Sequence, residues 1–178
     1  MWYGSADAAL EGVGFGEALG QAILEDALPN AGLSIAAAGA RLGVPVTVHV
    51  AIGTDIVHMH PSASGAAIGE ASLIDFRRFA ARVERLEGGV YLNAGSAVIL
   101  PEVFLKVPAM ARNRKQGLPR RFVTANLDFI PAYRPLTNVV RRPTAGGGTG
   151  YQITGHHELM LPLLFTAVRE GLAARGAR

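Results

Sequence analysis

Cysteine is absent from the 178 residues of this chain, and only two of its 17 basic residues are lysines. The lack of cysteine excludes disulfides, zinc–thiolate sites and thiol nucleophiles. The scarcity of lysine leaves Lys106 and Lys115 as the only side chains that can form an imine with a carbonyl substrate. Any chemistry that needs a thiolate, or an amine elsewhere in the chain, is therefore excluded.

Long apolar runs are also lacking. No run reaches the roughly 18 residues that cross a bilayer. The first seven residues have neither the basic start nor the apolar centre of a signal peptide. We therefore expect a cytoplasmic protein with no membrane segment. Hydrophobic residues still make up 49% of the chain, which predicts one compact domain over residues 1–178.

Charge is divided unevenly along the chain. Residues 1–70 hold one basic and seven acidic side chains, a net charge of −6, whereas residues 71–178 hold 16 basic and seven acidic side chains, a net charge of +9. A cluster of arginines can bind phosphate or nucleic acid, because guanidinium matches phosphate oxygens. No helix-turn-helix, stacking strand or KH-type glycine loop accompanies it, so we expect a solvated loop or an ion-paired subunit contact and no nucleic-acid partner. The cluster comprises Arg112, Arg114, Lys115, Arg120 and Arg121.

Helical and strand-like patterns alternate along the chain. An apolar stripe with helical period predicts a helix over residues 15–28, and the β-branched run 44–50 predicts a strand. Such alternation is typical of the α/β class, and we expect a Rossmann-like parallel sheet with helices on both faces. The other predicted helices are 32–42, 73–86, 101–113 and 158–174, and the other predicted strands are 90–93, 122–127 and a short one before His156.

Unusual residues follow the predicted strands, where a parallel sheet normally holds its ligand. Gly95 and Ser96 follow the strand 90–93, and small residues there let a phosphate approach backbone N–H groups at a helix start. A packing role for the glycine is the alternative. Asp55 and Asp128 follow two other strands, and Asp55 is equally able to cap the turn after it.

The histidines indicate a second kind of site. His58 and His60 alternate, so in an extended segment both project from one face, where Asp55 or the pair His156-His157 can join them around a metal ion. The alternative is that these side chains are hydrogen-bonded at strand ends. Metal binding therefore stays open, and we assign no metal ligand.

Three short segments stand out in the last third of the chain: Thr124-Ala125 before Asn126-Leu127-Asp128, then Arg134-Pro135, then Pro162-Leu163-Leu164 in the final helix. With these segments in this order, the last third of the chain resembles the carboxyl-terminal half of deoxyhypusine synthase. The same order of elements extends over approximately residues 33–172. This resemblance implies an NAD-binding fold, and we separately expect a homo-oligomer.

The resemblance also implies roles for particular residues. It places Gly95, Ser96, Thr124 and Ala125 against the dinucleotide. His156 and His157 stand where the family has an Asp-Ala pair that contacts the cofactor. Asp55, His60 and Asp128 fall at or near acidic positions of the family, and the resemblance implies acid–base or substrate-binding roles for these three residues.

Two departures from the family affect what we expect of the chemistry. The position of the imine-forming lysine falls at about Pro143, and arginine is no substitute because it stays protonated. The family also has an amino-terminal section with the first nucleotide-binding strand. We therefore expect this chain either to be the carboxyl-terminal part of a larger domain or to have dispensed with that section. A sheet lacking those strands exposes an edge, which predicts self-association or a covering partner.

Three functional interpretations follow from the sequence. The first is an NAD-dependent enzyme, transferase-like or oxidoreductase-like, that acts on an amine or another small polar ligand. The second is a noncatalytic dinucleotide-binding or regulatory module. A metal-dependent enzyme using the histidines is the third.

Overall fold

The computed structural model describes residues 12–113 and 119–176. The chain divides into two compact units, the first ending at Arg82 and the second beginning at Val83. Helices alternate with three parallel strands along the described residues, so the predicted α/β class and parallel sheet are confirmed. None of the helices in these two ranges is both long and apolar enough to cross a membrane.

The first unit is built from helices and irregular segments. Helix α1 spans Phe15–Glu25, α2 spans Ile35–Leu42, and α3 spans Gly65–Val83, so that its last residue belongs to the second unit. Ser34 caps α2, since its Oγ accepts a hydrogen bond of 3.2 Å from the N–H of Ala37. Short 3-10 turns lie at Ala31–Leu33 and Ile56–Met59.

The strand predicted over residues 44–50 does not form, and this prediction is wrong. The segment lies among helices instead. A Cβ at Gly16 of α1 would overlap the carbonyl oxygen of Val46, and the N–H of Val48 donates to the Asp75 carboxylate of α3 at 2.8 Å. The Asp75 side chain therefore accepts the hydrogen bond that the Val48 N–H would otherwise donate to a neighbouring strand.

The second unit contains the sheet. Strands β1 (Val90–Ala94), β2 (Val123–Asp128) and β3 (Thr149–Thr154) lie in the order β1-β2-β3 and are all parallel. Helix α4 (Ile99–Asn113) connects β1 to β2. Helix α5 connects β2 to β3 and begins as an α-helical turn, Tyr133–Pro135, that continues as the π-helix Leu136–Arg141. The long helix α6 (His157–Gly176) follows β3.

Both connecting helices cover the same face of the sheet. Tyr91 of β1 stacks on Phe104 of α4, with ring centroids 3.9 Å apart and planes 3° from parallel. Its register partner Thr124 donates a 2.8 Å hydrogen bond to the carbonyl oxygen of Val139 in α5. Consecutive parallel strands joined by right-handed crossovers place their helices in this way. Burial raises the pKa of Tyr91 to about 12, in keeping with its packing beneath α4.

Candidate functional site

The segments that leave the three strands are joined at one end of the sheet. Gly95, which follows β1, donates a 3.0 Å backbone hydrogen bond to Leu127, and Gly155, which follows β3, donates one of 3.1 Å to Asp128. We call residues 95–96, 128–130 and 155–157 the carboxyl edge. Five of the residues predicted from the sequence lie there, and they are Gly95, Ser96, Asp128, His156 and His157.

Gly95 and Ser96 shape the first part of the carboxyl edge. Gly95 has a φ of +68°, which favours glycine, and a Cβ there would lie 3.1 Å from Nε2 of His157. Ser96 Oγ accepts a 3.1 Å hydrogen bond from the N–H of Leu100, and the Ser96 carbonyl oxygen accepts one of 2.9 Å from Asn93. The Gly95 amide and the Ser96 hydroxyl thus hold the strand-to-helix turn, whose helix N-terminus faces this end of the sheet.

Asp128 is buried at the end of β2. Its Oδ1 accepts hydrogen bonds from the N–H groups of Phe129 at 2.8 Å and Ile130 at 3.5 Å. An aspartate that bonds to the two following amides fixes the turn that carries them. Both bonds use Oδ1, so Oδ2 of the carboxylate takes no part in these two hydrogen bonds.

The two histidines at the carboxyl edge differ in exposure. His156 is exposed, its ring lies parallel to that of Phe129 at 6.0 Å, and its Nδ1 is 3.8 Å from Glu158 Oε1. His157 is half-buried against Gly95, and its Nδ1 is buried with no hydrogen-bond partner among the residues described. A buried ring nitrogen without a partner is a group that a ligand or a water can satisfy.

A row of amide side chains crosses the sheet just below the carboxyl edge, and it was not predicted from the sequence. Asn93 Nδ2 donates to Asn126 Oδ1 at 2.6 Å, and Asn126 Nδ2 donates to Gln152 Oε1 at 2.9 Å. These three residues are partners in the sheet register. At the end of the row, Gln152 Nε2 is buried and has no partner within the described ranges. The only signal for this row is an amide near the end of each strand, and it has no meaning until the register is known.

Thr124 and Ala125 are not brought to the carboxyl edge. Both lie in the first half of β2 and are buried. The Thr124 hydroxyl donates to Val139 in α5. In this structure both residues pack the sheet interior.

Asp55 and His60 belong to the first unit. Asp55 is exposed and precedes the 3-10 turn Ile56–Met59, but its side chain makes no capping hydrogen bond there. Nδ1 of His60 lies 2.7 Å from Ser62 Oγ and accepts a 3.2 Å bond from the Ser62 N–H. His60 also lines a cavity of about 280 Å³, together with Phe15, Ile56, Val57, Ser62, Ala63 and Ile68.

The expected histidine geometry for a metal site is not found. His58 lies within the 3-10 turn, where its Nδ1 accepts a 3.1 Å hydrogen bond from the Gly53 N–H, so the segment is not extended as the alternation of His58 and His60 required. Across residues 12–113 and 119–176, no three His, Cys, Asp or Glu side chains are grouped closely enough to hold a metal ion.

No family model, curated protein or solved structure matches this chain. The resemblance to deoxyhypusine synthase therefore stays a prediction.

The Arg134-Pro135 pair has a structural role in this chain. Arg134 Nε lies 3.6 Å from Glu102 Oε1, and the same oxygen accepts a 2.9 Å hydrogen bond from Asn138. Glu102 therefore ties α4 to α5. Lys106 lies 3.9 Å from Glu102 Oε2 on the exposed surface of α4, while Lys115 lies outside the described residues.

Two of the clustered arginines bond to Glu87 within the chain, Arg120 through its backbone N–H and Arg121 as an ion pair. Glu87 accepts hydrogen bonds from the N–H groups of Arg120 at 2.6 Å and Arg121 at 3.1 Å, and from Arg121 Nε at 3.0 Å. The Arg120 N–H and then the Arg121 contacts hold the pKa of Glu87 down at about 2. This contact joins the segment before β1 to the segment before β2. Arg114 and Lys115 lie outside the described residues.

Proposed function

We propose that the second unit is a Rossmann-like module that binds a nicotinamide dinucleotide at the carboxyl edge. The observation that carries this proposal is the meeting of Gly95, Asp128 and His157 where three parallel strands end. Open α/β sheets bind ligands in this position. The helix cover of such a fold would be completed by α6, which begins directly after β3 and contacts β2.

Each part of the carboxyl edge suits one part of such a ligand. The N-terminus of α4, which follows Ser96, favours a pyrophosphate because the helix dipole attracts negative charge. The Asp128 carboxylate has an oxygen beyond the one that holds its own turn, and a carboxylate is the usual acceptor for ribose hydroxyls. His157 Nδ1 offers a buried nitrogen to a polar ring substituent.

The deoxyhypusine synthase reaction itself is not part of this proposal. Its imine needs a lysine, and Lys106 lies on an exposed part of α4, paired with Glu102. An oxidoreductase-like or transferase-like reaction would have to use Asp128 and His157 as its acid–base groups. If NAD binds but is not reduced when amines or small alcohols are added, the second unit is a noncatalytic NAD-binding module.

Calorimetric titration of the full chain with NAD tests the proposal, because the two parts of the carboxyl edge can be altered separately. Asp128→Asn keeps an oxygen for the Phe129 N–H but removes the charge, and we expect at least about tenfold weaker binding, since a hydrogen bond to a charged group contributes about 1.5–3 kcal/mol. His157→Gln should also weaken binding. Glu170→Gln is the matched control, because it removes the same charge from an exposed position on α6.

The NAD affinities of the wild type and the three variants decide whether the carboxyl edge is the binding site. Saturable binding of about one NAD per chain, weakened by both carboxyl-edge variants and not by Glu170→Gln, supports the proposal. The absence of saturable binding, or equal affinity in all four proteins, refutes it. Bound dinucleotide that is reduced on addition of a small amine or alcohol identifies an enzyme, and the ultraviolet absorbance of the reduced nicotinamide records that reduction.

A further inference from the structure

Helix α6 is unusual because it is long and its apolar side chains are almost all exposed. None of its described residues is buried, although a 20-residue helix on a globular domain normally buries one stripe. A continuous exposed apolar surface marks a site of association. The exposed large apolar residues of α6 are Leu159, Leu161, Leu163, Phe165, Val168 and Leu172.

Four of these residues follow the spacing of a coiled coil. Leu161, Phe165, Val168 and Leu172 are separated by four, three and four positions, which is the alternation of the a and d positions of a heptad. We call these four residues the seam. At 3.6 residues per turn they form one narrow stripe along α6, whereas Leu159 and Leu163 lie on a different side of the helix.

The charges at the ends of the seam indicate its orientation in a pair. Glu158 lies three residues before Leu161, and Arg175 lies three residues after Leu172. The seam is symmetric about a point between Phe165 and Val168. When two copies of α6 run antiparallel about that point, Leu161 meets Leu172 of the second copy and Phe165 meets Val168. The same alignment brings Glu158 opposite Arg175 at both ends.

We propose that α6 is a dimerisation helix, which pairs through the seam with α6 of a second copy of this chain in antiparallel orientation. The two-fold axis makes every contact occur twice, including the two pairs of opposite charges. A parallel pair would instead bring Glu158 against Glu158 and Arg175 against Arg175, which is unfavourable. Charge complementarity thus favours a second copy of α6 as the partner of the seam, and it favours the antiparallel orientation.

Light scattering coupled to size-exclusion chromatography of the full chain tests the pairing. We expect the unchanged protein to be a dimer at micromolar concentration, and Phe165→Asp to weaken dimerisation by at least about 100-fold, because it buries a charge without a partner in each half of the contact. Leu163→Asp is the matched control. Leu163 is 64% exposed and Phe165 is 67% exposed, but only Phe165 lies on the seam.

A monomeric wild-type chain overturns the proposal. So does a dimer that survives Phe165→Asp, or one that Leu163→Asp disrupts to the same extent, since either result places the contact elsewhere. Circular dichroism of each variant shows whether helix content is kept. If Phe165→Asp loses helix, the conservative variant Phe165→Ser replaces it in the comparison with Leu163→Ser.

Exchange of the end charges tests the direction of the pair. Glu158→Arg and Arg175→Glu should each weaken dimerisation by about tenfold, since each turns two attractive pairs into repulsive ones. The double variant should restore the original affinity, because the opposite charges then face each other again. In a parallel pair, neither single change alters the sign of a pair, so unchanged affinity in both single variants refutes the antiparallel arrangement.

Cross-linking gives an independent measure of direction, and the absence of native cysteine keeps it free of background. Leu161→Cys and Leu172→Cys chains are mixed and oxidised. We expect the disulfide to join one chain of each kind, because Leu161 faces Leu172 across the axis. Disulfides that join only identical chains would refute the antiparallel pair, and so would a complete lack of cross-linking in the mixed dimer.

Discussion

Asp75 should be the most sensitive position in the first unit. Its side chain is fully buried in α3, and one oxygen, Oδ2, accepts hydrogen bonds from the N–H of Gly16 at 2.9 Å and the N–H of Val48 at 2.8 Å. These bonds tie α3 to the start of α1 and to the segment that was predicted to be a strand. Replacing Asp75 with alanine leaves both backbone donors without an acceptor.

The size of the effect follows from these two bonds. A hydrogen bond to a charged group contributes about 1.5–3 kcal/mol, so the loss of two such bonds in Asp75→Ala should lower the free energy of unfolding by about 3–6 kcal/mol. That is a large fraction of the 5–15 kcal/mol, in order of magnitude, that stabilises a typical domain. Asp75→Asn should cost only about 1 kcal/mol, because both bonds use the same oxygen and a single amide oxygen can accept both. Glu70→Ala, which removes an exposed acid from the same helix, should change stability by less than about 0.5 kcal/mol.

Urea denaturation combined with amide hydrogen exchange measures both the magnitude and its location. The amides of Gly16 and Val48 should be protected in the wild type and in Asp75→Asn, and should exchange faster in Asp75→Ala. A Cβ at Gly14 would overlap Asp75 Oδ1, so Gly14→Ala should destabilise the wild type more than it destabilises the Asp75→Ala background. If Asp75→Ala is no worse than Glu70→Ala, or if the two amides stay protected in it, the reasoning is refuted.

Two further predictions concern pH. Burial lowers the pKa of His49 below 6.5, against the opposing attraction of Asp75, so the unfolded chain binds the proton more tightly and stability should decrease as the pH falls below 6.5. His49→Gln should reduce this dependence, and a His49 pKa at or above 6.5 by NMR titration would contradict it. The pKa of Glu87 is lowered from 4.5 to about 2 by Arg120 and Arg121, so its contribution is present above pH 4.5 and lost as the pH falls towards 2. Glu87→Gln should remove that acid dependence, which NMR of the Arg120 amide measures; a Glu87 carboxyl that titrates near 4.5 would rule it out.

The periodic elements were the most predictable part of the fold. Helix 101–113 and strands 90–93 and 122–127 were expected from the sequence, and each differs from the observed element by at most two residues at either end. Their signals are local, because apolar spacing and a proline in the first helical turn need no knowledge of the rest of the chain. The parallel arrangement followed from their alternation with helices.

Other elements were missed for identifiable reasons. Helix α3 begins at Gly65 and not at residue 73, because Ser64 Oγ accepts a 3.3 Å hydrogen bond from the Ala67 N–H and caps a first turn whose glycines have low helix propensity. The π-helical part of α5 was not expected at all. Its buried side chains, Asn138, Val139 and Val140, pack within the second unit, and π-helices have no simple sequence period.

The position of the carboxyl-edge residues was predictable from the sequence, but their hydrogen-bond partners were not. Any residue that follows a parallel strand lies at the same end of the sheet, so Gly95, Asp128 and His157 could be grouped before the structure was known. What each group does depends on neighbours distant in sequence. The Gly95 amide is bonded to Leu127, whereas His157 Nδ1 has no partner in the described part of the chain.

The amide row shows why strand register limits sequence-based prediction of a site. Asn93, Asn126 and Gln152 are 33 and 26 positions apart in sequence, yet they are hydrogen-bonded side by side. A shift of one residue in either strand pair would turn one amide to the opposite face of the sheet and break the row. Because Asn126 is fully buried, such a shift would also leave its amide without partners. The row therefore selects the register that builds the carboxyl edge, and it leaves the Gln152 Nε2 donor unpaired next to the proposed dinucleotide site.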